Sequence, residues 1–219
     1  MTADGPPDAE DMAALVANDP DFDVYVREQA KRALRDKMRA LRASVPAESR
    51  SKRSLAIVAH LLAQPELARA KTVLTFLPIK GEPTLDALHE ALRARGVTLA
   101  LTRIHPETDT LEVARFDDEA SLVWGSYGLR EPPPDAAAVA LDDVDVVLVP
   151  GLVMDLRGQR IGYGKGHFDR LLPRLPTAFR CGICYDFQLV GEAPSLPHDE
   201  PLHAVVTDLQ VVRPDHPAS

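Results

Sequence analysis

The sequence predicts an α/β domain whose mainly parallel sheet is flanked by helices. Two observations carry this expectation. Short β-branched runs alternate along the chain with segments of helical periodicity, and one such run passes through a glycine-rich turn directly into a helix. At 219 residues the chain suits one domain, able to bury about 70% of its unfolded surface without disulfides or a structural metal.

Taken in order, residues 1–22 read as an acidic, mobile tail with a short helical turn over 11–16, and residues 23–219 as the domain. Residues 31–42 hold six Lys or Arg against one Asp, while Leu34, Met38, Leu41 and Val45 form the apolar stripe of a helix. A second helix is expected over 51–62, stopped before Pro65. Residues 72–77 read as a strand with a turn, 78–83, at its C-terminal end. Leu85, Leu88 and Leu92 mark a third helix, with Gly96 as the residue just past its end. Residues 97–101 form the next strand, and 111–116 alternate like a half-buried one. Prolines 132–134 open an extended connection to 145–149, which is almost wholly apolar and so reads as covered on both faces. Strands over 178–184 and 204–206 complete the sheet, with room for an antiparallel edge. Ligands of such sheets bind beyond the strand C-terminal ends, where Glu82, Asp155 and the glycine turn all fall.

The run from Val149 to Leu172, Val-Pro-Gly-Leu-Val-Met-Asp-Leu-Arg-Gly-Gln-Arg-Ile-Gly-Tyr-Gly-Lys-Gly-His-Phe-Asp-Arg-Leu-Leu, carries the functional signal. Gly162, Gly164 and Gly166 alternate just before a helix whose spacing (Phe168, Leu171, Leu172, Leu175) sets its start at His167 or Phe168. Glycines there let backbone approach a ligand, and free N–H groups at a helix start favour an anion. Arg157, Arg160, Lys165 and Arg170 add four cations. The turn is neither a Walker loop nor a dinucleotide fingerprint, since His167 stands where the third glycine belongs.

This run resembles the 5-formyltetrahydrofolate cyclo-ligases, also called 5,10-methenyltetrahydrofolate synthetases. Their signature has the form Val-Pro-Gly-x-x-Phe-Asp-x-x-Gly-x-Arg-Leu-Gly-x-Gly-x-Gly-Tyr-Tyr-Asp-x-x-Leu. The chain departs from it with Met154 for Phe, Ile161 for Leu, and His167-Phe168 for the Tyr-Tyr pair. Lys31-Arg-Ala-Leu-Arg35 is similar to the family's opening Lys-x-x-x-Arg, Phe76 to Thr84 to its glutamate segment, and Tyr127 to Pro132 to its Glu-Pro linker. Gln188-Leu-Val, Leu196-Pro-His-Asp199 and Val205 to Asp208 follow its closing pattern, so the resemblance spans roughly residues 30–212.

The resemblance implies ATP- and Mg²⁺-dependent cyclisation of 5-formyltetrahydrofolate to 5,10-methenyltetrahydrofolate, with release of ADP and phosphate. It implies Lys165 and Arg160 as catalytic charges, and ATP contacts from Lys31, Arg35, Arg160, Ile161, Gly162, Tyr163, Gly164, Lys165, Gly166, His167 and Phe168. Folate contacts fall to Leu77, Glu82, Tyr127, Tyr163, Gly164, Lys165, Gly166 and His167, and Mg²⁺ to Asp169 and Asp199. Two other readings stay open: a nucleotide- or folate-binding paralogue with altered catalysis, motivated by the missing tyrosines, and a sugar-phosphate isomerase-like enzyme that needs no ATP.

Duller roles stand beside these. The basic run at 31–42 alone reads as a solvated face. Asp169 in a first helical turn complements the dipole, Asp155 reads as a turn former bonded to local backbone, and Trp124 either lines the folate site or packs under the proline run. Cys181 and Cys184 lie three apart in a strand, hence on opposite faces, and read as structural rather than redox or zinc residues. The net charge of −8 argues against a nucleic-acid partner. No window approaches 18 apolar residues, which argues against a membrane span. Seven acidic and no basic residues in the first 26 argue against a secretory or transit leader, so cytoplasmic residence is expected; a monomer is expected as well.

Overall fold

A computed structural model of the chain describes residues 20–105, 107–108, 110–125 and 128–215. Helix α1 (Pro20–Ser44) is followed by α2 (Ala47–Leu62), the short α3 (Pro65–Arg69) and strand β1 (Thr72–Leu74). Helix α4 (Asp86–Ala94) leads to β2 (Thr98–Ile104) and β3 (Leu111–Arg115). A small hairpin, β4 (Val123–Trp124) with β5 (Arg130–Glu131), precedes β6 (Val146–Pro150). Then come β7 (Val153–Asp155), β8 (Arg160–Ile161), helix α5 (His167–Leu171), β9 (Phe179–Ile183), β10 (Leu189–Val190), β11 (Ala204–Val206) and β12 (Val211–Val212).

Seven strands form one sheet in the order β12-β11-β9-β6-β1-β2-β3. The five inner strands are parallel, and β3 and β12 pair antiparallel at the two edges. Alternation along the inner strands sorts their side chains into two cores. Val73, Leu99, Val146, Leu148 and Val206 face one cluster with Ile57, Leu61, Leu67, Leu88 and Leu92 of the first helices. Leu74, Ala100, Val147, Val149 and Val205 face the other, with Leu171, Leu172 and Leu175.

Chain order reverses between β1 and β6, because the chain moves outward to β2 before returning to the far side of β1. A crevice at such a switch point, beyond the strand C-terminal ends, is where a doubly wound sheet takes its ligands. A three-stranded sheet, β10-β7-β8, stands over this end and carries the glycine turn on the exit of β8.

The structure corrects several sequence expectations. β1 ends at Leu74, not residue 77: Thr75 still donates to Ala100 O, but Phe76 and Leu77 leave the ladder and pack against the first core. Their apolarity reports burial rather than strand pairing. α2 starts at Ala47 after Pro46, four residues before the expected start, because its first turn holds no large apolar residue to betray it. α1 starts at Pro20, inside the stretch assigned to the tail; residues 1–19 lie outside the described residues. Trp124 does not pack under the proline run. It is 75% exposed, with the Arg130 guanidinium 5.6 Å from its ring centre.

Cys181 faces the first core and Cys184 the second, as strand geometry requires, and both are free thiols. Burial pushes the Cys181 thiol up to about 12 and raises Cys184 as well. Only the thiolate is a nucleophile, so neither cysteine alkylates with iodoacetamide in native buffer, and both do so in urea. Native labelling at the rate of a small-molecule thiol would contradict this packing. Among the described residues no helix is long and apolar enough to cross a membrane.

Candidate active site

The glycine turn is held from one side by α1. Lys31, Arg35, Arg39 and Arg42 recur at intervals of four, four and three, so they line one face of the helix. Arg35 Nε donates to Gly162 O at 3.0 Å, and Arg39 Nη2 reaches Tyr163 O at 3.4 Å. Across the turn Arg170 Nη1 donates to Lys165 O at 3.0 Å. Gly164 and Gly166 adopt φ of +97° and +65°, which L side chains rarely enter. A Cβ on Gly162 would lie 2.5 Å from Arg160 Nη1, so that guanidinium would have to shift to admit it. Lys165 stands exposed at the tip, between the two left-handed glycines. The helix beyond is a single turn, because Pro173 diverts the chain into a 3₁₀ segment at Leu172–Arg174. The positive field therefore comes from α1 side chains more than from a helix dipole.

Arg42 is the anchor of the site and is 1% exposed. Its Nε donates to Lys80 O at 3.1 Å, and its Nη1 lies 3.5 Å from Gly151 O and 3.7 Å from Glu82 Oε1. Its Nη2 donates to the Tyr163 hydroxyl, which in turn donates to Glu82 Oε1 at 3.0 Å. One guanidinium thus ties the loop after β1, the loop after β6 and the glycine turn together at the switch point. Lys80, at φ +48°, is the one left-handed non-glycine among the described residues, and Gly81 follows at +79°. That pair of conformations aims the Lys80 carbonyl at Arg42.

Glu82 is 4% exposed, and burial raises its carboxyl above the usual range. The Ile79 N–H, which Oε2 accepts at 3.1 Å, the Arg42 charge, the Tyr163 hydroxyl and Lys80 pull the other way without cancelling that effect. Burial beside Glu82 pushes the Tyr163 phenol up to about 12, so it stays protonated and able to donate. Lys80 Nζ and the Arg39 guanidinium lie 5.7 and 5.8 Å from the Tyr163 ring centre, which sets that ring among three cations with Arg42.

The two expected metal carboxylates each meet a cation. Lys31, itself buried, pairs with Asp199, whose Oδ2 also accepts the Leu196 N–H at 2.6 Å. Arg160 Nη2 pairs with Asp169 Oδ1 at 2.6 Å. Asp199 acts electrostatically on Arg35, which holds Gly162, and Gly162 abuts Arg160, so both carboxylates border the same turn. Among the described residues no three His, Cys, Asp or Glu side chains gather as a closed metal cage. Carboxylates are the kind of donor that Mg²⁺ takes, one or two at a time beside waters and phosphate oxygens, and here each of the two is held by a cation.

Other expected site residues fall into place unequally. Leu77 packs against the first core. Ile161 is buried in a third apolar cluster with Met38, Leu152 and Val153, and its carbonyl accepts the Leu152 N–H. His167 is the first residue of α5, and Phe168 lies 5.6 Å under the Arg160 guanidinium and against the second core. Tyr127 lies outside the described residues. Asp155 is the turn former expected of it, accepting the N–H groups of Arg157, Gln159 and Ala193 at 2.8–2.9 Å. Arg39 and Arg42 were missing from the expected set, although they continue the helical spacing that marks Lys31 and Arg35.

A family model described as the 5-formyltetrahydrofolate cyclo-ligase family matches residues 27–208. The chain belongs to that family. A 5-formyltetrahydrofolate cyclo-ligase of Escherichia coli K12 is 32% identical over 156 residues, covering 69% of this chain and 86% of that protein. One from Mycolicibacterium smegmatis is 34% identical over 152 residues, covering 63% and 73%. The NMR structure of Aquifex aeolicus 5,10-methenyltetrahydrofolate synthetase superposes with a TM-score of 0.75 at 33% identity, covering 86% of this chain and 95% of that one. The cyclo-ligase match encloses the cationic face of α1, Glu82, the glycine turn and Asp199.

Proposed function

We propose that this cyclo-ligase family member closes 5-formyltetrahydrofolate to 5,10-methenyltetrahydrofolate at the expense of ATP, with Mg²⁺ and release of ADP and phosphate. The observation that carries the reading is the Arg42 junction, which sets a buried carboxylate beside a cation-lined glycine turn at the sheet's switch point. Glu82 accepts hydrogen bonds from folate N–H groups, and Tyr163 and Arg42 keep its carboxylate aimed. Arg35, Arg39, Lys165 and Arg160 receive the phosphates; Arg35 and Arg39 each spend only part of a five-donor fork on the turn carbonyls. Asp169 and Asp199 would hold Mg²⁺, which would supply charge neutralisation for the phosphates.

In the first step the formyl oxygen attacks the γ-phosphorus and ADP leaves, giving an imidate phosphate. In the second, N10 loses its proton and attacks the formyl carbon, and phosphate departs with the former formyl oxygen. Both steps ask the protein chiefly for alignment and charge neutralisation, which a rigid cationic turn supplies. His167 and Phe168 replace two phenols without removing a charge, so the electrostatic set is complete. A single-turnover experiment with enzyme in excess over folate tests this by following ADP and the methenyl chromophore together. One ADP per methenyl product, with no product when ATP or Mg²⁺ is withheld, is expected. Binding of both ligands by calorimetry with no product would leave only a binding paralogue, and conversion without ATP would refute the ligase chemistry.

A further inference from the structure

A second buried guanidinium ties distant parts of the chain together. Arg180, the second residue of β9, is 7% exposed. Its Nη1 donates to Glu200 Oε2 at 2.8 Å and its Nη2 to Leu172 O at 3.1 Å. Its backbone is fixed as well, since the Arg180 N–H donates to His203 Nδ1 at 3.0 Å and the His203 N–H returns to Arg180 O at 2.9 Å. β9 is an inner strand paired with β6 and β11, so the side chain springs from rigid backbone. Arg180 lies near the N-terminal end of β9, away from the crevice beyond the strand C-terminal ends. It can therefore act there only through what it holds.

Each acceptor adjoins one of the two carboxylates that border the glycine turn. Glu200 directly follows Asp199, the partner of Lys31. Leu172 closes the single turn of α5, its N–H donating to Phe168 O, and that turn holds Asp169, the partner of Arg160. One planar fork thus spans the loop that seats Lys31 and the helix that seats Arg160. Two donors in a fixed plane set the direction as well as the separation of their acceptors. Neither tethered segment has much regular structure of its own: α5 is five residues long, and residues 191–203 contain no helix or strand.

We propose that Arg180 is a positioning residue for the nucleotide: by holding Glu200 and Leu172 it sets the Lys31–Asp199 pair against the Arg160–Asp169 pair across the glycine turn. This rests on the cyclo-ligase reading, in which that turn receives the phosphates. Calorimetric titrations of the full-length protein with ADP in Mg²⁺ buffer, and separately with 5-formyltetrahydrofolate, test it at a temperature where circular dichroism shows each variant folded. Arg180→Lys keeps the charge but not the two-sided fork, and should weaken ADP about tenfold while folate affinity stays within about twofold. Glu200→Ala removes a negative charge, which through the field alone would favour ADP; the lost tether predicts weaker ADP instead. Unchanged ADP affinity in the two variants, tighter ADP in Glu200→Ala, or equal losses for ADP and folate would overturn the proposal, the last because a general loosening of the fold spares neither ligand. Should one variant fail to fold, the other decides. No ADP binding by the unmodified protein would dismiss the cyclo-ligase reading itself, and this inference with it.

Discussion

Arg42→Met should destabilise the protein by about 3–5 kcal/mol, the cost of removing one partner from a buried ion pair. The substitution keeps most of the side-chain length but strands Glu82, the Tyr163 hydroxyl and the Lys80 carbonyl in a site almost closed to water. The deficit should depend on pH in a defined sense. Burial already raises the folded-state value for Glu82 above its unfolded one, near 4.3. A group raised in this way lends its stability below the unfolded value and loses it as pH climbs through the folded value. Losing the Arg42 charge raises Glu82 further, so the variant's deficit is smallest in acid and grows toward neutrality. Urea midpoints across that range, for wild type and variant, measure it. The double variant with Glu82→Gln should recover much of the loss at neutral pH, because no buried charge is then left alone. A deficit that is the same at every pH, or no recovery in the double variant, would dismiss Glu82 as the stranded partner.

Lys165→Ala should lower turnover by about 10²–10³, the usual consequence of deleting one preorganised charge from a phosphoryl-transfer site. The melting temperature should barely move, since Lys165 is exposed and the left-handed glycines on either side keep the turn's shape without it. Lys165→Arg should restore part of the rate. Rate and stability thus part company here, whereas in Arg42→Met they fall together. Near-wild-type turnover in a folded Lys165→Ala protein would remove this lysine from the mechanism.

Much of this architecture could be read before any coordinates. The strand over 146–150 was legible because it is buried on both faces, and the α5 start because three glycines end there. The parallel class followed from the alternation of strand and helix. What escaped had little local signal. β7, β8 and β10 are two or three residues each and take their pairing from the chain folded over them. Strand order is a property of crossovers, which leave no mark on composition. Arg42 was hidden among six similar cations: what separates it from Arg32 or Lys37 is that the α1 face it occupies is covered by the loops after β1 and β6. Its neighbours Lys31 and Arg35 were found only because the family resemblance singled them out.

The hydrogen bonds that seat α1 have a temporal consequence. Lys31 reaches Asp199 across 168 residues, Arg35 reaches Gly162 across 127, and Arg42 reaches Tyr163 across 121. An earlier segment of the chain therefore waits for one more than a hundred residues later before it gains these partners. Contacts so distant in sequence are slow to close, and a polar cationic helix face has no core of its own to hold it meanwhile. Seating of α1 is accordingly expected late in folding, after the parallel strands have paired. A chain arrested before that event would own its sheet and both cores yet lack the Arg42 junction, so on the proposed reading completion of the fold and onset of binding coincide in one step.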